Sequence, residues 1–350
     1  MATPYVFTTS EASQALVGFA RQQIDNLDKS FDWSDQVPAL KDAPAIFPGQ
    51  IMVLHACSGE GKSSVSKWLV KEMAKAVKNK FDQSPKTKIL SVVLEETVEL
   101  ARAATMLNPV VFAEIASGRA DMQQVLKAVA QSATDPIYYI GPSVMGRIIN
   151  PNAAEFNGFS PAMLGEVFYK LQAEQQVNVA GVVLDYIQIM SDNKNSTDRY
   201  PRVTNASMEL LNVARSTLRC PLVVCAQSKA EVKERSNKVP GLYDIQHSSQ
   251  IAQDADIVWS MWHPASEPFG TPIKIMGNEI FPFNDIFIVS VCKWRDVPMA
   301  GKMFILCGGR PFGNFFEVPL DLLTSINPDD VKKTLRVRSF MDLPESIRKF

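Results

Sequence analysis

Residues 56–64 read Ala-Cys-Ser-Gly-Glu-Gly-Lys-Ser-Ser, which fits a phosphate-binding loop, AxxxxGKS, with Ala56 where a first glycine usually stands. Each residue type has a chemical reason. Gly59 and Gly61 let the backbone curl until its N–H groups point inward at phosphate oxygens. Ser58, Glu60 and Ser64 complete the loop that encloses the nucleotide. A helix beginning near Lys62 adds its positive N-terminal end. Lys62 would reach the β- and γ-phosphates, and the Ser63 hydroxyl would hold Mg2+. ATP and Mg2+ are therefore the expected substrate and cofactor. A glycine turn that merely joined a strand to a helix would not require Lys and Ser at these offsets. The Ala56 departure matters little, because the residues that touch phosphate lie later in the loop.

Three more polar positions end apolar runs. Asp185 follows Val182-Val183-Leu184, the arrangement that carries a carboxylate to a strand tip, where it can hold a Mg2+-bound water. A lone Asp ending a strand is usually a turn residue, and it gains meaning only beside a phosphate loop. Glu95 and Glu96 end the apolar run after the phosphate-loop helix, and a carboxylate there can orient or deprotonate an attacking water. Gln227 ends Pro-Leu-Val-Val-Cys-Ala-Gln, where an amide can sense the γ-phosphate and pass the signal to the loop that follows.

These residues need elements to position them. Apolar runs at 50–56, 88–96, 137–141, 179–190, 221–227, 255–262, 285–294 and 303–308 read as strands, the last of these as the final strand. Helical spacing marks 11–28, 62–80, 98–134, 161–176 and 203–218. Residues 142–160 and 228–250 read as loops, and 263–284 as a Pro- and Gly-containing insertion. Apolar strands alternating with helices predict an α/β fold with a mostly parallel central sheet covered on both faces.

Composition bounds the rest. Among 350 residues, 36 basic and 37 acidic side chains give a net charge of −1, which argues against coating nucleic acid by bulk charge but leaves room for a local basic channel. A hydrophobic fraction of 46% excludes global disorder. No apolar run approaches the length of a membrane span, and the N-terminus lacks a signal-peptide layout. Five cysteines without a pairing pattern predict a reducing, cytoplasmic setting.

The order of the phosphate loop, Leu94-Glu95-Glu96-Thr97, the Asp185 strand, Cys225-Ala226-Gln227-Ser228-Lys229, the stretch IAQDADIVW (251–259) and Lys293-Trp294-Arg295 resembles the ATPase domain of DnaB-type replicative helicases, within the RecA-like superfamily. The resemblance covers roughly residues 12–316. It implies a RecA-like P-loop fold, with Lys62 and Ser63 as the nucleotide-binding pair, Glu95 as catalytic base in preference to Glu96, and Asp185 at the Mg2+ site. It implies that Gln227 links the γ-phosphate to a DNA-facing loop. Lys293 and Arg295, which alone would read as a solvated strand end, match a pair that reaches into the next subunit's ATP site. An arginine supplied in trans can stabilise the charge that develops on the transferred phosphoryl group.

The match has departures. The family's DNA-binding loop commonly reads D-L-R-E-S-G, whereas this chain has Asp244-Ile245-Gln246-His247-Ser248-Ser249. Gln246, Ser248, Ser249 and backbone N–H groups remain available for phosphates, and Lys229, Lys233, Arg235 and Lys238 lie just upstream. Losing the arginine predicts a shallower salt dependence of DNA binding. The family hairpin's R-N-G-P is Arg295-Asp296-Val297-Pro298. Fewer than 50 residues precede the phosphate-loop strand, too few for the family's primase-binding N-terminal domain. The expected organisation is an arm at 1–45, whose helix docks on a neighbouring subunit through Leu16, Phe19 and Ile24, an ATPase domain at 46–316, and a basic tail at 317–350.

The function implied is a ring-shaped, hexameric, ATP-dependent helicase that translocates on single-stranded DNA during replication. A loader, primase or polymerase is a candidate partner, and no membrane is involved. The alternative is a RecA-like DNA-stimulated ATPase, such as a recombination factor or loader, that binds DNA without unwinding it. A third reading, a regulatory ring ATPase that needs no DNA, rests on net charge alone.

Overall fold

The computed structural model describes residues 26–79, 86–106, 119, 121–132, 134–149, 159–192, 194, 196–268, 271–295, 297–309 and 314–326, with positions 13, 14, 17, 18, 20, 21 and 24 of the arm. Leu16, Phe19, Asp296 and the basic tail beyond 326 lie outside them.

The strands are β1 (Ile51–Ala56), β2 (Thr87–Val93), β3 (Ile137–Ile140), β4 (Asn178–Asp185), β5 (Leu222–Gln227), β6 (Ile257–Trp262), β7 (Ile273–Ile275), β8 (Asn278–Ile280), β9 (Ile286–Trp294), β10 (Met303–Gly309) and β11 (Asn314–Val318). The helices are α1 (Lys62–Asn79), α2 (Val98–Met106), α3 (Met122–Ser132), α4 (Pro142–Ile149), α5 (Pro161–Gln175), α6 (Arg199–Val213), α7 (Gln250–Asp254) and α8 (Leu320–Thr324). Nine strands form one sheet in the order β11-β10-β9-β6-β1-β5-β4-β2-β3. From β3 to β6 the pairing is parallel, and β9, β10 and β11 extend it antiparallel.

The parallel part is buried on both faces, so its strands are apolar at successive positions. Met52 and Leu54 of β1 face a core that holds Val65, Trp68, Leu69 and Met73 of α1. Ile51 and Val53 face the opposite core, with Leu164, Val167 and Phe168 of α5 and Val203 and Leu210 of α6. Phe31, Trp33, Val37, Leu40 and Ile46 also belong to the α1-side core, so the C-terminal half of the arm packs on the sheet. Gly181 of β4 permits this close approach, because a Cβ there would stand 2.3 Å from Met73 Cε and 3.0 Å from Phe31 Cε2.

Three expectations are corrected. Residues 142–149 form α4 and not a loop; Val144, Met145, Ile148 and Ile149 recur at helical spacing and pack on the α5-side core, with Pro142 at the first helical position. The strand at 303–309 is not the last, because β11 pairs with it antiparallel. The insertion is partly ordered: β7 and β8 form a hairpin whose Ile275 and Ile280 enter a third core with Phe283, Ile286 and Ile305. Residues 228–250 lack regular strands or helices beyond a short 3-10 turn, as expected of a loop. Among the described residues, no helix is long and apolar enough to cross a membrane.

Candidate active site

Parallel pairing brings the chemistry together. β1, β5, β4 and β2 are adjacent and point the same way, with Ala56 level with Gln227 and Val93 level with Asp185. The phosphate loop, Gln227, Asp185 and Glu95 therefore stand in a row at the C-terminal edge of the sheet, where open parallel sheets bind ligands. Cys57, Ser58, Gly59, Gly61, Lys62, Ser63, Ser64, Glu95, Tyr186 and Gln227 line one cavity of about 300 Å³. Gly59 and Gly61 adopt φ of 82° and 83°, the left-handed region that an L side chain resists, so the loop's curl depends on glycine at both positions.

Lys62 Nζ lies 3.9 Å from Asp185 Oδ1 and 4.5 Å from the centre of the Tyr186 ring. Asp185 Oδ2 accepts a 3.5 Å hydrogen bond from the Ser66 hydroxyl, while its buried Oδ1 has no hydrogen-bond partner. A buried carboxylate oxygen without a donor fits a cation. Ser63 lines the cavity and Asp185 stands beside it, next to Lys62; a hydroxyl and a carboxylate are oxygen ligands of the kind Mg2+ takes when phosphates supply the rest.

The two glutamates separate. Glu96 pairs with Lys67 of α1 at 2.7 Å, whereas Glu95 is exposed and lines the cavity. Glu60 turns away from it: its carboxylate accepts the His263 N–H at 2.7 Å and lies 3.5 Å from Lys233.

The candidate DNA-facing residues have partners within the chain. Lys233 donates to the Ser58 carbonyl at 2.8 Å, and Lys229 to the Tyr243 carbonyl at 3.1 Å. Arg235 forks onto Asp244 with bonds of 2.7 and 2.8 Å, and Lys238 pairs with Glu267. Burial pushes the Asp244 carboxyl up, but the Arg235 fork, the Gly241 N–H and the Lys229 charge together hold the group below its ordinary value. Ser248 is buried, shares a 3.0 Å hydrogen bond with Thr204 and accepts the Gln250 N–H at 3.1 Å. Ser249 is exposed and Gln246 half-buried.

Lys293 and Arg295 stand elsewhere. β9 runs antiparallel to β6, with Trp294 level with Ile257, so both residues lie at the sheet edge opposite the phosphate loop. Lys293 donates to the carbonyls of Ala252 and Gln253 at 2.9 and 3.0 Å. Arg295 reaches the Gln253 carbonyl and Asp256, both at 3.4 Å. Cationic donors at the C-terminus of α7 satisfy carbonyls that the helix leaves unpaired.

Sequence reasoning missed Gln188, Tyr186 and Ser66. Gln188 is 1% exposed and bonds to the backbones of Gln227 and Gln246. Its signal was a lone amide inside the apolar run Tyr-Ile-Gln-Ile-Met.

Comparison with known proteins agrees with this geometry. The family model described as the DnaB-like helicase C-terminal domain matches residues 45–268. The replicative DNA helicase DnaB of Leifsonia xyli subsp. xyli is 28% identical over 177 residues, 46% of this chain and 38% of the relative. Its counterpart in Mycoplasma genitalium is 27% identical over 214 residues, 60% of this chain and 42% of that one. The matched stretches thus span less than half the length of either relative. Among solved structures, one isolated ATPase domain superposes with a TM-score of 0.64 at 17% identity, covering 88% of this chain and 98% of that one. A DnaB-like replicative helicase, solved to show its interactions with primase, superposes with a TM-score of 0.56 at 19% identity, covering 78% of this chain and 58% of that one. The fold is that of the RecA-like helicase ATPase domains.

Proposed function

Because the chain belongs to the DnaB-like helicase C-terminal domain family, we propose that it is an ATP-hydrolysing motor that moves on single-stranded DNA as a homo-oligomeric, hexameric ring. The cavity that unites the phosphate loop, Glu95, Tyr186 and Gln227 supports this reading most directly. ATP enters with its phosphates against the loop's N–H groups and Lys62. Glu95 orients a water and accepts its proton as the water's oxygen bonds to the γ-phosphorus and ADP leaves with the broken bond's electrons. Ser63 and Asp185 would hold Mg2+, which would supply neutralisation of phosphate charge. Gln227 sits where it can report the γ-phosphate to the loop 228–250.

Two features support the ring. Lys293 and Arg295 lie at the sheet edge away from their own phosphate loop, which fits a role at a neighbour's site. In the arm, Val17, Ile24 and Leu27 are 53%, 66% and 53% exposed along one face of helical spacing, an apolar stripe suited to docking on an adjacent subunit. We assign 1–45 to that arm and 46–316 to the motor, with residues 31–46 seated on the motor's core. The tail at 317–350 follows.

Strand displacement on a forked DNA substrate tests the proposal. The wild-type chain unwinds it with ATP, and Lys62→Ala abolishes both unwinding and hydrolysis. Unwinding that survives Lys62→Ala refutes the assignment. The intrachain partners of Lys229, Lys233 and Arg235 leave few free cations on the loop and favour one alternative, a DNA-stimulated ATPase that does not unwind. Stimulated hydrolysis without strand displacement identifies it.

A further inference from the structure

β4 pairs with β5 only as far as Leu184 and Val224, yet β5 continues to Gln227. Beyond that point the backbone of β5 has lost a neighbour on the β4 side. Gln188, three residues past the end of β4, replaces it with a side chain. Its Oε1 accepts the Gln227 N–H at 3.1 Å, and its Nε2 donates to the Gln227 carbonyl at 3.1 Å. One amide thus meets both backbone groups of one residue, as a peptide group of a neighbouring strand would. Nε2 also donates to the Gln246 carbonyl at 3.3 Å, while the Gln246 N–H donates to the Gln227 carbonyl at 2.8 Å. Gln188 is 1% exposed, so water does not compete for these bonds. Of this cluster, Gln227 lines the nucleotide cavity.

We propose that Gln188 is a positioning residue that locks the backbone of Gln227 to that of Gln246, so that nucleotide-dependent movement at one displaces the other. The inference rests on the proposed reading of the chain as an ATP-hydrolysing motor that responds to single-stranded DNA. A second contact runs in parallel: Ser228 bridges to Ile245, and the Lys229 N–H donates to the Asp244 carbonyl at 2.8 Å. These bonds hold the base of the loop together. Gln188 reaches it from the turn that follows the Asp185 strand.

The test measures ATP hydrolysis by the full chain with and without a single-stranded oligonucleotide, in wild type, Gln188→Met and Gln188→Glu. Methionine keeps length and volume and removes all three bonds. Glutamate keeps the acceptor and removes both donors. The ratio of stimulated to basal rate falls about tenfold in Gln188→Met, within the usual range of coupling between two sites. As a separate equilibrium readout, oligonucleotide affinity in this variant should differ less between ADP and a non-hydrolysable ATP analogue than it does in wild type. A purely structural role would lower both rates by one factor and preserve the ratio, which would overturn the proposal.

Hydrogen exchange on the wild-type chain gives a result that needs no variant. The Gln227 and Gln246 amides should change protection together between the ADP and ATP-analogue states. A change at Gln227 without one at Gln246 overturns the coupling. A wild-type chain whose hydrolysis ignores DNA overturns the functional reading itself, and this inference with it.

Discussion

Glu95 and Glu96 are neighbours in the chain but occupy different electrostatic settings. The Glu96 carboxylate is neutralised by Lys67 at 2.7 Å, and Glu95 is left facing the phosphate loop. General-base catalysis is worth about 10²–10⁴-fold, so Glu95→Gln should reduce the hydrolysis rate by that order while nucleotide binding survives. Glu96→Gln should cost far less, because it removes a partly buried ion pair and no reacting group. Equal losses in the two variants would refute the assignment. His55 makes a second residue-scale prediction. It lies fully buried on β1, with Nδ1 2.9 Å from the Ser228 hydroxyl, and burial lowers its pKa to about 4 from 6.5. The unfolded chain therefore binds more protons between those values. Stability from a neutral buried His55 is present above pH 6.5 and is lost as the pH falls towards 4. Between pH 7 and pH 5 this amounts to on the order of 2 kcal/mol. Denaturant unfolding should show that decline in wild type and a correspondingly smaller one in His55→Leu.

The element that most depends on its surroundings is the loop 228–250. Its base is a short antiparallel contact between Ser228 and Ile245, and its middle is tied by the Arg235–Asp244 fork. Asp244 also accepts the Gly241 N–H at 2.7 Å. Asp244→Asn should speed proteolytic cleavage within 229–244 and leave the global unfolding midpoint within about 2 °C, because the bonds lost are local. Asp244 is held below its ordinary carboxyl value, so its contribution is present at neutral pH and above 3.8. It is lost as the pH falls through the depressed value. Loop protection against protease should therefore persist at pH 5 and vanish only in stronger acid. The loop as such was legible from its polar composition, but its internal bonds were not. Lys229, Lys233 and Arg235 look free in a sequence because their acceptors are backbone carbonyls and a carboxylate brought near by folding.

At the scale of the molecule, the proposed catalytic parts occupy opposite edges of one sheet. The phosphate loop is at the C-terminal edge of β1, and Arg295 follows the end of β9 beside the start of β6. A strand of six residues spans roughly 17–20 Å, too far for an arginine to fold back to its own site. Lys62→Ala and Arg295→Ala should each be inactive alone. If Arg295 acts in trans, mixed rings of the two should regain hydrolysis, because about a quarter of random interfaces then pair an intact Lys62 with an intact Arg295. Mixtures that stay inactive under conditions where rings exchange subunits would rule out action in trans.

What the sequence determined by itself were the groups with short-range signatures. Gly59, Gly61, Lys62 and Ser63 lie within one loop, and Asp185, Glu95 and Gln227 each end an apolar run. Local spacing also fixed most strands and helices, because burial on both faces leaves continuous apolar runs. Only the tertiary structure decided what depends on contacts distant in sequence. It paired Glu96 with Lys67, turned Glu60 towards His263 and Lys233, and buried Ser248 against Thr204. It also placed the Gln188 amide where β4 stops pairing with β5. The reason is that an amide, a hydroxyl or a cation acquires its role from its partner, and chain spacing says nothing about partners dozens of residues away.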